Sequence, residues 1–127
     1  MKSCPLTISL LAAGLLLTPS TIRGEEACQQ RLEADDRAAW DGLGGSVSLS
    51  GETAVLGASG ETGGRGAAYV FRILSDGNWI QEAKLTDPEA DANDNFGWFV
   101  GVDGSKAIIG AYLDDRDLLN SGSATVW

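Results

Sequence analysis

Histidine is absent from the sequence, and cysteine, methionine and proline are scarce. Without histidine the chain offers no Ser-His-Asp or Cys-His catalytic arrangement, and no zinc site that uses imidazole ligands. The two cysteines are Cys4 and Cys28, and Cys4 falls in a leader segment that we predict to be removed. Cys28 would then stand alone, which excludes an intramolecular disulfide. These absences predict that the protein is not an enzyme.

Basic residues are half as frequent as acidic residues, with 9 against 18 and a formal net charge of −9. Every acidic residue lies at or after Glu25, so the negative charge is concentrated beyond that point. Binding to nucleic acid phosphates requires a basic surface, and the composition therefore excludes nucleic acid as a partner. The charge predicts solubility through self-repulsion, with cation binding as the alternative.

No apolar run is long enough to span a bilayer as a helix, which takes about 20 residues. The longest largely apolar stretch is Leu6–Leu17, which follows the basic Lys2 and precedes small and polar residues. A basic start, an apolar centre and small residues in that order are typical of a secretory signal peptide. We predict a signal peptide over residues 1–24, and a mature chain over residues 25–127 that is secreted or held in the cell envelope without membrane insertion.

An internal repeat organises the mature chain. Residues 31–58 align without a gap on residues 84–111, and identical pairs include Leu32/Leu85, Asp41/Asp94, Gly44/Gly97, Gly57/Gly110 and Ala58/Ala111. After an insertion of three residues in the second copy, the match resumes with Gly66/Gly122, Ala68/Ala124 and Val70/Val126. A repeat of about 53 residues is the size of one supersecondary unit. We place the first repeat at about 31–83 and the second at about 84–127.

Within the first repeat, four stretches show the alternation or β-branched content of strands, at 45–50, 53–56, 67–74 and 78–85. Glycine-centred turns join them, as expected of hairpins. Four strands in a meander at this period indicate a propeller blade. The prediction is an all-β fold: a partial β-propeller of about two four-stranded antiparallel blades. The second blade is incomplete, because its counterpart of 78–85 is missing.

Short motifs recur in the same order in both repeats. They are Asp94-Asn95-Phe96-Gly97, Ile109-Gly110-Ala111 and Ser121–Trp127 in the second repeat, and Leu43-Gly44, Gly57-Ala58 and Gly66–Phe71 in the first. These motifs resemble the FG-GAP repeat, which also forms the head of integrin α subunits. Trp79–Leu85 is similar to the link between repeats in the bacterial secreted branch of that family. The resemblance implies a β-propeller with a role in adhesion or extracellular recognition.

The resemblance also implies a calcium loop between the first two strands of a blade, of the form Asp-x-Asp-x-Asp-Gly. The matching positions, Ser50–Glu52 and Asp103–Ser105, are tight turns with fewer oxygen ligands than Ca²⁺ prefers. No cofactor is therefore expected there, and calcium is unsupported by the family loop. A better oxygen cluster is the loop holding Asp114, Asp115, Asp117 and Asn120. We interpret it as a solvated acidic loop, with weak divalent binding as the alternative.

Four tryptophans stand out in a small β protein: Trp40, Trp79, Trp98 and Trp127. Large aromatic side chains are expected to pack between blades, with sugar binding as the alternative. Leu43 and Phe96 are expected to be apolar anchors between blades, and Gly44 and Gly97 to allow close approach of strands.

The sequence predicts a non-enzymatic extracellular recognition or adhesion module, whose partner is a protein or glycan at a cell surface. Repeat architectures need about three packed units, so two repeats would require a homo-oligomer in which several chains complete one propeller. The alternative is a truncated fragment of a larger secreted β-propeller protein with no independent activity. Such a fragment would expose unpaired strand edges.

Overall fold

A computed structural model describes residues 29–116 and 118–127. The strands in these ranges are β1 Ser46–Ser50, β2 Thr53–Ala58, β3 Ala67–Ile73, β4 Trp79–Leu85, β5 Phe96–Asp103, β6 Lys106–Ala111 and β7 Ser123–Val126. The helical element within these ranges, α1 Glu61–Gly64, is a single turn with non-helical backbone at its centre. The predicted signal peptide lies outside the described residues, and no helix within them is long and apolar enough to cross a membrane.

The strands form two antiparallel sheets, each a meander in chain order. The first sheet has the order β1-β2-β3-β4 and the second has the order β5-β6-β7. Each strand predicted for the first repeat is present, with ends that differ by a residue or two. The predicted all-β fold, a partial β-propeller, is therefore confirmed, with four strands in the first described sheet and three in the second.

The first hydrophobic cluster lies on one face of the first sheet. Alternate residues of β2 and β3 point to this face, and they are Ala54, Leu56, Ala58, Ala67, Tyr69 and Phe71. Leu32, Ala34 and Leu43, from the segment that precedes β1, pack against them. Because Ala34 is buried, and Tyr69 and Phe71 are almost fully so, the segment 29–45 covers this face without a further sheet.

The second cluster joins the two sheets. Its buried members are Val55 and Ala68 of the first sheet and Phe96, Ala107, Ile109 and Ala111 of the second. Phe96 has no exposed surface, and full burial of a phenylalanine contributes about 1.5–3 kcal/mol. The prediction that Phe96 is an apolar anchor between blades is confirmed. Leu43 does not lie between the two sheets; it packs against the first cluster, on the face covered by residues 29–45.

The sheets approach each other closely at Gly97. A Cβ atom on Gly57 would lie 1.9 Å from the Gly97 carbonyl oxygen, and a Cβ on Gly97 would lie 2.1 Å from the Ala67 carbonyl oxygen. Gly97 also has a φ of +87°, which residues with side chains rarely adopt. The predicted close approach at Gly97 is confirmed. At its counterpart Gly44, a Cβ would meet no atom of the described residues within 4 Å.

A row of serine hydroxyls also joins the sheets. Backbone N–H groups of β5 donate to hydroxyl oxygens of β1 in three pairs: Val100 to Ser46 at 3.0 Å, Val102 to Ser48 at 3.0 Å, and Gly104 to Ser50 at 3.1 Å. The spacing of two residues in both strands matches the period of a β-strand. We call these contacts the serine ladder. They give hydrogen-bond acceptors to three backbone N–H groups on the edge of β5 that faces away from β6.

Three of the four tryptophans lie at the surface. Trp40 is 93 % exposed, Trp98 43 % and Trp127 46 %, while Trp79 packs against the first cluster. The prediction that the tryptophans pack between blades is therefore wrong for Trp40, Trp98 and Trp127. They lie on surfaces that no other sheet of the described structure covers.

Candidate functional site

The loops that follow β2 and β6 lie at the same end of the two sheets, which we call the loop rim. It comprises residues 59–66, the linker 86–95, and the described parts of the β6–β7 loop, 112–116 and 118–122. At the opposite end, the turns between β1 and β2, β3 and β4, and β5 and β6 are short.

Backbone hydrogen bonds fasten the loops of this rim to each other. The N–H of Asn95 donates to the Gly64 carbonyl at 2.8 Å, and the N–H of Leu113 donates to the Asp94 carbonyl at 3.3 Å. The linker is thus bonded to the loops on both of its sides. Side chains carried by the rim are therefore held in fixed relative positions.

Lys84 of β4 is the centre of a charged cluster beside the first sheet. Its Nζ lies 2.6 Å from Asp36 Oδ2 and 2.8 Å from Glu61 Oε1. The Tyr69 hydroxyl donates to Asp36 Oδ1 at 2.8 Å, and Lys84 Nζ lies 5.5 Å from the centroid of the Tyr69 ring. We call these four residues the Lys84 cluster. It ties the segment before β1 to β3, β4 and the rim.

The contacts within this cluster shift the pKa values of its members. Hydrogen bonds from Lys84 and then Tyr69 lower the pKa of Asp36. Burial, and then the bond to the Asp36 carboxylate, raises the pKa of Tyr69 to about 12. Burial alone would lower the pKa of Lys84, but the bonds to Asp36 and Glu61 outweigh it and raise that pKa. The cluster therefore holds Lys84 charged and Tyr69 protonated.

Arg116 is the centre of a second charged cluster, in the β6–β7 loop. Its Nε donates to both oxygens of Asp114, at 3.1 and 3.0 Å, and its Nη2 also bonds Asp114. The same guanidinium lies 2.7 Å from Asp87 and 3.1 Å from Glu89. We call these residues the Arg116 cluster. Three carboxylates face one cation, so the cluster keeps an excess of negative charge.

The carboxylates of this cluster differ in exposure. The side chains of Asp114 and Asp87 are only 4 % and 8 % exposed, whereas that of Glu89 is 72 % exposed. Bonds from Arg116 outweigh the effect of burial and lower the pKa of Asp114, and Asp114 raises the pKa of Arg116 in turn. Glu89 is the member that is open to a further partner.

The two clusters occupy equivalent places in the repeat. Glu61 aligns with Asp114, and their carbonyls accept bonds from the N–H groups of Gly66 at 3.0 Å and Gly122 at 2.9 Å. By the same alignment, Asp36 corresponds to Glu89. Sequence reasoning missed both clusters. The signal that could have found them is the presence of acidic residues at both positions in both repeats.

The cations of the two clusters come from different elements. Lys84 belongs to β4, whereas the described part of the second sheet has no fourth strand. Arg116, from the β6–β7 loop, donates to the carboxylates instead. The position that Lys84 holds in the first sheet therefore has no counterpart among the described residues of the second.

The predicted divalent loop is organised around this arginine. Asp114 is buried and its carboxylate is bonded by Arg116, while Asp115 and Asn120 are exposed. Asp117 lies outside the described residues. Within those residues, no three His, Cys, Asp or Glu side chains are placed to hold a metal ion. Weak cation binding by this loop stays a prediction.

An aromatic pair lies on the rim of the second sheet. The rings of Trp98 and Tyr112 are 4.7 Å apart between centroids, at an interplanar angle of 46°. Both side chains are close to half exposed. A β-bulge between Phe96 and Phe99 displaces Trp98 from the regular pairing of β5. In the first repeat Gly45 stands at the position of Trp98, so this pair is specific to the second repeat.

The outer edge of β7 lies beside the Arg116 cluster. Ala107 and Trp127 exchange both backbone hydrogen bonds, at 3.0 and 2.8 Å. Because bonded and non-bonded pairs alternate in an antiparallel ladder, the peptide groups of Ala124 and Val126 point away from β6. A groove of about 410 Å³ runs along this edge, lined by Glu89, Asp114, Arg116 and residues 121–125.

Two stretches of the chain match the profile of one known family. Residues 27–71 and 79–127 each match the FG-GAP repeat, and together they include all seven strands except the last two residues of β3. No curated protein matches the chain. The matches extend over most of the sequence, and the second begins at β4, the last strand of the first sheet. The chain therefore belongs to the FG-GAP repeat family.

Proposed function

We propose that this chain is a non-enzymatic recognition or adhesion module that acts outside the cytoplasm and binds a protein at a cell surface through its loop rim. The β-propeller architecture and the family membership support a module of this type, because FG-GAP repeats occur in extracellular proteins. The aromatic pair Trp98–Tyr112 is the observation that carries the proposal.

Exposed aromatic pairs of this kind suit protein recognition. Tyrosine and tryptophan supply large contact areas at low cost in side-chain entropy, and they are enriched among the residues that dominate binding energy. The pair is held by the bulge in β5 and by the bonded loops of the rim. A binding surface that is rigid before contact loses less entropy on association.

The charge of the rim indicates which surface the partner presents. Carboxylates of the Arg116 cluster outnumber its single cation, and Asp115 nearby is exposed. Complementary charge mainly improves the rate and specificity of association. A basic patch on the partner protein is the expected match, and rising salt is expected to slow binding.

The test is binding of the labelled chain to intact cells of the producing organism, measured by flow cytometry. We expect Trp98→Ala to weaken binding at least tenfold. Leu74→Ala serves as the matched control, because Leu74 is 40 % exposed but lies at the opposite end of the sheets. Absence of binding, or equal binding by both variants, would refute the proposal.

Treatment of the cells separates the classes of partner. Protease treatment should abolish binding if the partner is a protein. Loss of binding after glycosidase treatment alone would replace the protein partner by a glycan.

A second candidate is that the chain is a fragment of a larger secreted β-propeller protein with no independent activity. The free edge of β7 and the exposed side chains of Phe99, Ile108 and Val126 favour it, because edges and apolar faces are normally covered in a closed ring. A purified chain that is disordered by circular dichroism, or that forms polydisperse aggregates, would support this alternative.

A further inference from the structure

We propose that Trp40 is a second binding residue of this chain, and that its side chain inserts as a knob into an apolar pocket of the protein that the loop rim contacts. This inference rests on the proposed function, because it takes the partner to be the same cell-surface protein. It adds a contact from the first repeat to the contact that Trp98 makes from the second.

Trp40 buries almost none of its side chain in the described structure. It is 93 % exposed, more than any other large hydrophobic residue there. Exposure of so much apolar surface to water is unfavourable, and Trp40 belongs to neither hydrophobic cluster. The packing of the two sheets therefore gives no reason for a tryptophan at this position.

The backbone conformation of Trp40 also disfavours a tryptophan. Its φ is +75°, in the left-handed region that glycine and asparagine adopt more readily than bulky residues. At the equivalent position of the second repeat, Asn93 has a φ of +76°. The repeat thus requires this conformation, and asparagine adopts it with less strain. Strain at a residue that contributes no packing points to a function.

The same hydrogen bond fixes this turn in both repeats. The N–H of Ala38 donates to Asp41 Oδ2 at 2.6 Å, and the N–H of Asp91 donates to Asp94 Oδ2 at 2.7 Å. Neither bond involves the side chain of Trp40. The tryptophan can therefore be replaced without loss of the turn that carries it.

The turn is held against the loop rim by its backbone. The N–H of Gly60 donates to the Asp41 carbonyl at 3.0 Å, and a Cβ atom on Gly60 would lie 2.1 Å from the Trp40 carbonyl oxygen. The second repeat has Leu113 in the place of Gly60, so this close approach is specific to the first repeat. Because the position of Trp40 is fixed before contact, less entropy is lost on binding.

The position of Trp40 stays exposed when another sheet packs beside the turn. In the second repeat, the first sheet packs against Phe96 and Gly97, and a Cβ on its Gly64 would lie 3.0 Å from the backbone of Asn93. Asn93 is nevertheless exposed. By the equivalence of the repeats, Trp40 projects into solvent with or without a neighbouring sheet.

The degree of exposure indicates the shape of the partner. A ring that serves as a flat platform has one face covered by its own protein, and Trp98 is covered to this extent, at 43 % exposure. At 93 % exposure, both faces of the Trp40 indole are open. Only a concave pocket can cover a side chain that projects in this way, and tryptophans that fill such pockets dominate many interfaces. Ala38 and Ala39 are small and leave room for the walls of the pocket.

Backbone hydrogen bonds connect Trp40 to the aromatic pair of the second repeat. The turn at Trp40 is bonded to the loop 59–66, that loop to the linker 86–95, and the linker to the loop that carries Tyr112. Trp40 and Tyr112 therefore lie at opposite ends of one row of bonded loops. A single protein partner can contact both.

The test is binding of the labelled chain to intact cells of the producing organism, measured by flow cytometry. We expect Trp40→Asn to weaken binding at least about tenfold. The same variant should keep or raise the unfolding temperature, because asparagine fits the backbone. Trp40→Phe keeps an aromatic knob and should lose less binding. Leu74→Asn is the matched control, since it places a polar residue at an exposed apolar position at the opposite end of the sheets.

Two further measurements separate insertion of Trp40 from a general effect on the rim. Gly60→Ala displaces the turn through the Trp40 carbonyl and should weaken binding by the original chain. It should cause no further loss in Trp40→Asn, because changes that act through one contact are not additive. Oxidation of Trp40 by hydroxyl radicals, read by mass spectrometry, should decrease on cells, because the pocket covers the ring.

Equal binding by Trp40→Asn and the original chain, or unchanged oxidation of Trp40 on cells, would overturn the inference. If Trp98→Ala still weakens binding in that case, the proposed function stands. Loss of binding in Trp40→Asn but not in Trp98→Ala would support insertion of Trp40 and refute the role proposed for Trp98. A lower unfolding temperature of Trp40→Asn would show that Trp40 serves the fold and would overturn the inference. Absence of binding by the original chain would refute both proposals.

Discussion

The strands of the two sheets correspond to each other in the repeat, yet the outer faces of the two sheets are covered in different ways. The outer face of the first sheet is closed by the segment 29–45, and its charged cluster is completed by Lys84 of its own fourth strand. The second sheet has three strands in the described structure, its outer face exposes Phe99 and Ile108, and Arg116 completes its cluster from a loop. The comparison shows that the repeat specifies a strand arrangement, while coverage depends on what lies next to each sheet.

The largest expected effect tests the contact between the sheets. Phe96→Ala should lower the free energy of unfolding by about 3–5 kcal/mol, because Phe96 is fully buried between them. Phe99→Ala, three residues along the same strand and 65 % exposed, should change it by less than about 1 kcal/mol. Urea unfolding followed by circular dichroism measures both, and similar losses would mean that the sheets are not joined as described.

The next effect compares two equivalent glycines. Gly57→Ala should cost about 2–3 kcal/mol, since its methyl group would overlap the Gly97 carbonyl. Gly110→Ala should be nearly neutral in dilute protein, because its methyl group would make ordinary van der Waals contacts, the nearest at 3.8 Å from Phe99 Cβ. Thermal unfolding at low concentration is the measurement. A costly Gly110→Ala under those conditions would show that the two faces are not different in the isolated chain.

Alkaline pH should weaken the contacts of the Lys84 cluster and leave those of the Arg116 cluster intact. The pKa of Tyr69 is raised from 10.0 to about 12 in the folded chain. The contribution of the protonated hydroxyl to folding stability is therefore complete below pH 10 and is lost as the pH rises toward 12. Lys84 acts in the same direction. We expect a loss of about 1–2 kcal/mol over this range. In urea titrations at pH 8, the Tyr69→Phe variant should be less stable than the original chain by about 1 kcal/mol. Between pH 10 and 12 it should lose less stability than the original chain. An equal loss in both would mean that Tyr69 is not the group responsible.

The smallest effect concerns the serine ladder. Ser48→Ala removes the acceptor for the Val102 N–H and should cost about 1 kcal/mol. Ser75→Ala, at an exposed turn, should cost close to nothing. Hydrogen exchange at Val102 offers a local readout, and unchanged protection in Ser48→Ala would mean that this bond does not hold β5.

The strands could be predicted from the sequence because their signals are local. Alternation, glycine turns and the repeat located the four strands of the first sheet to within a residue or two, and Phe96 and Gly97 followed from the family pattern. The charged clusters could not be found in this way. Asp36 and Lys84, or Asp87 and Arg116, are distant in the chain and meet only through the packing of loops and sheets.

For three of the four tryptophans, the sequence predicts burial where the structure shows exposure. Their size predicts burial, but burial also requires a neighbouring surface, and the position of a neighbour is a property of the assembled molecule. Trp98 lies at a bulge that turns it toward solvent. A search for aromatic residues that are present in one repeat and absent from the other would have drawn attention to Trp98.

The serine ladder has a consequence for how such proteins change over time. Its hydroxyls accept bonds from the main chain of β5, which every residue except proline offers. The contact is thus indifferent to the side chains of the strand it holds, and β5 can accept any substitution other than proline without loss of these acceptors. The second repeat carries Phe99, Gly101 and Asp103 where the first has Ser46, Ser48 and Ser50, so a copy of the second blade would have to gain these hydroxyls before it could hold a neighbour in the same way.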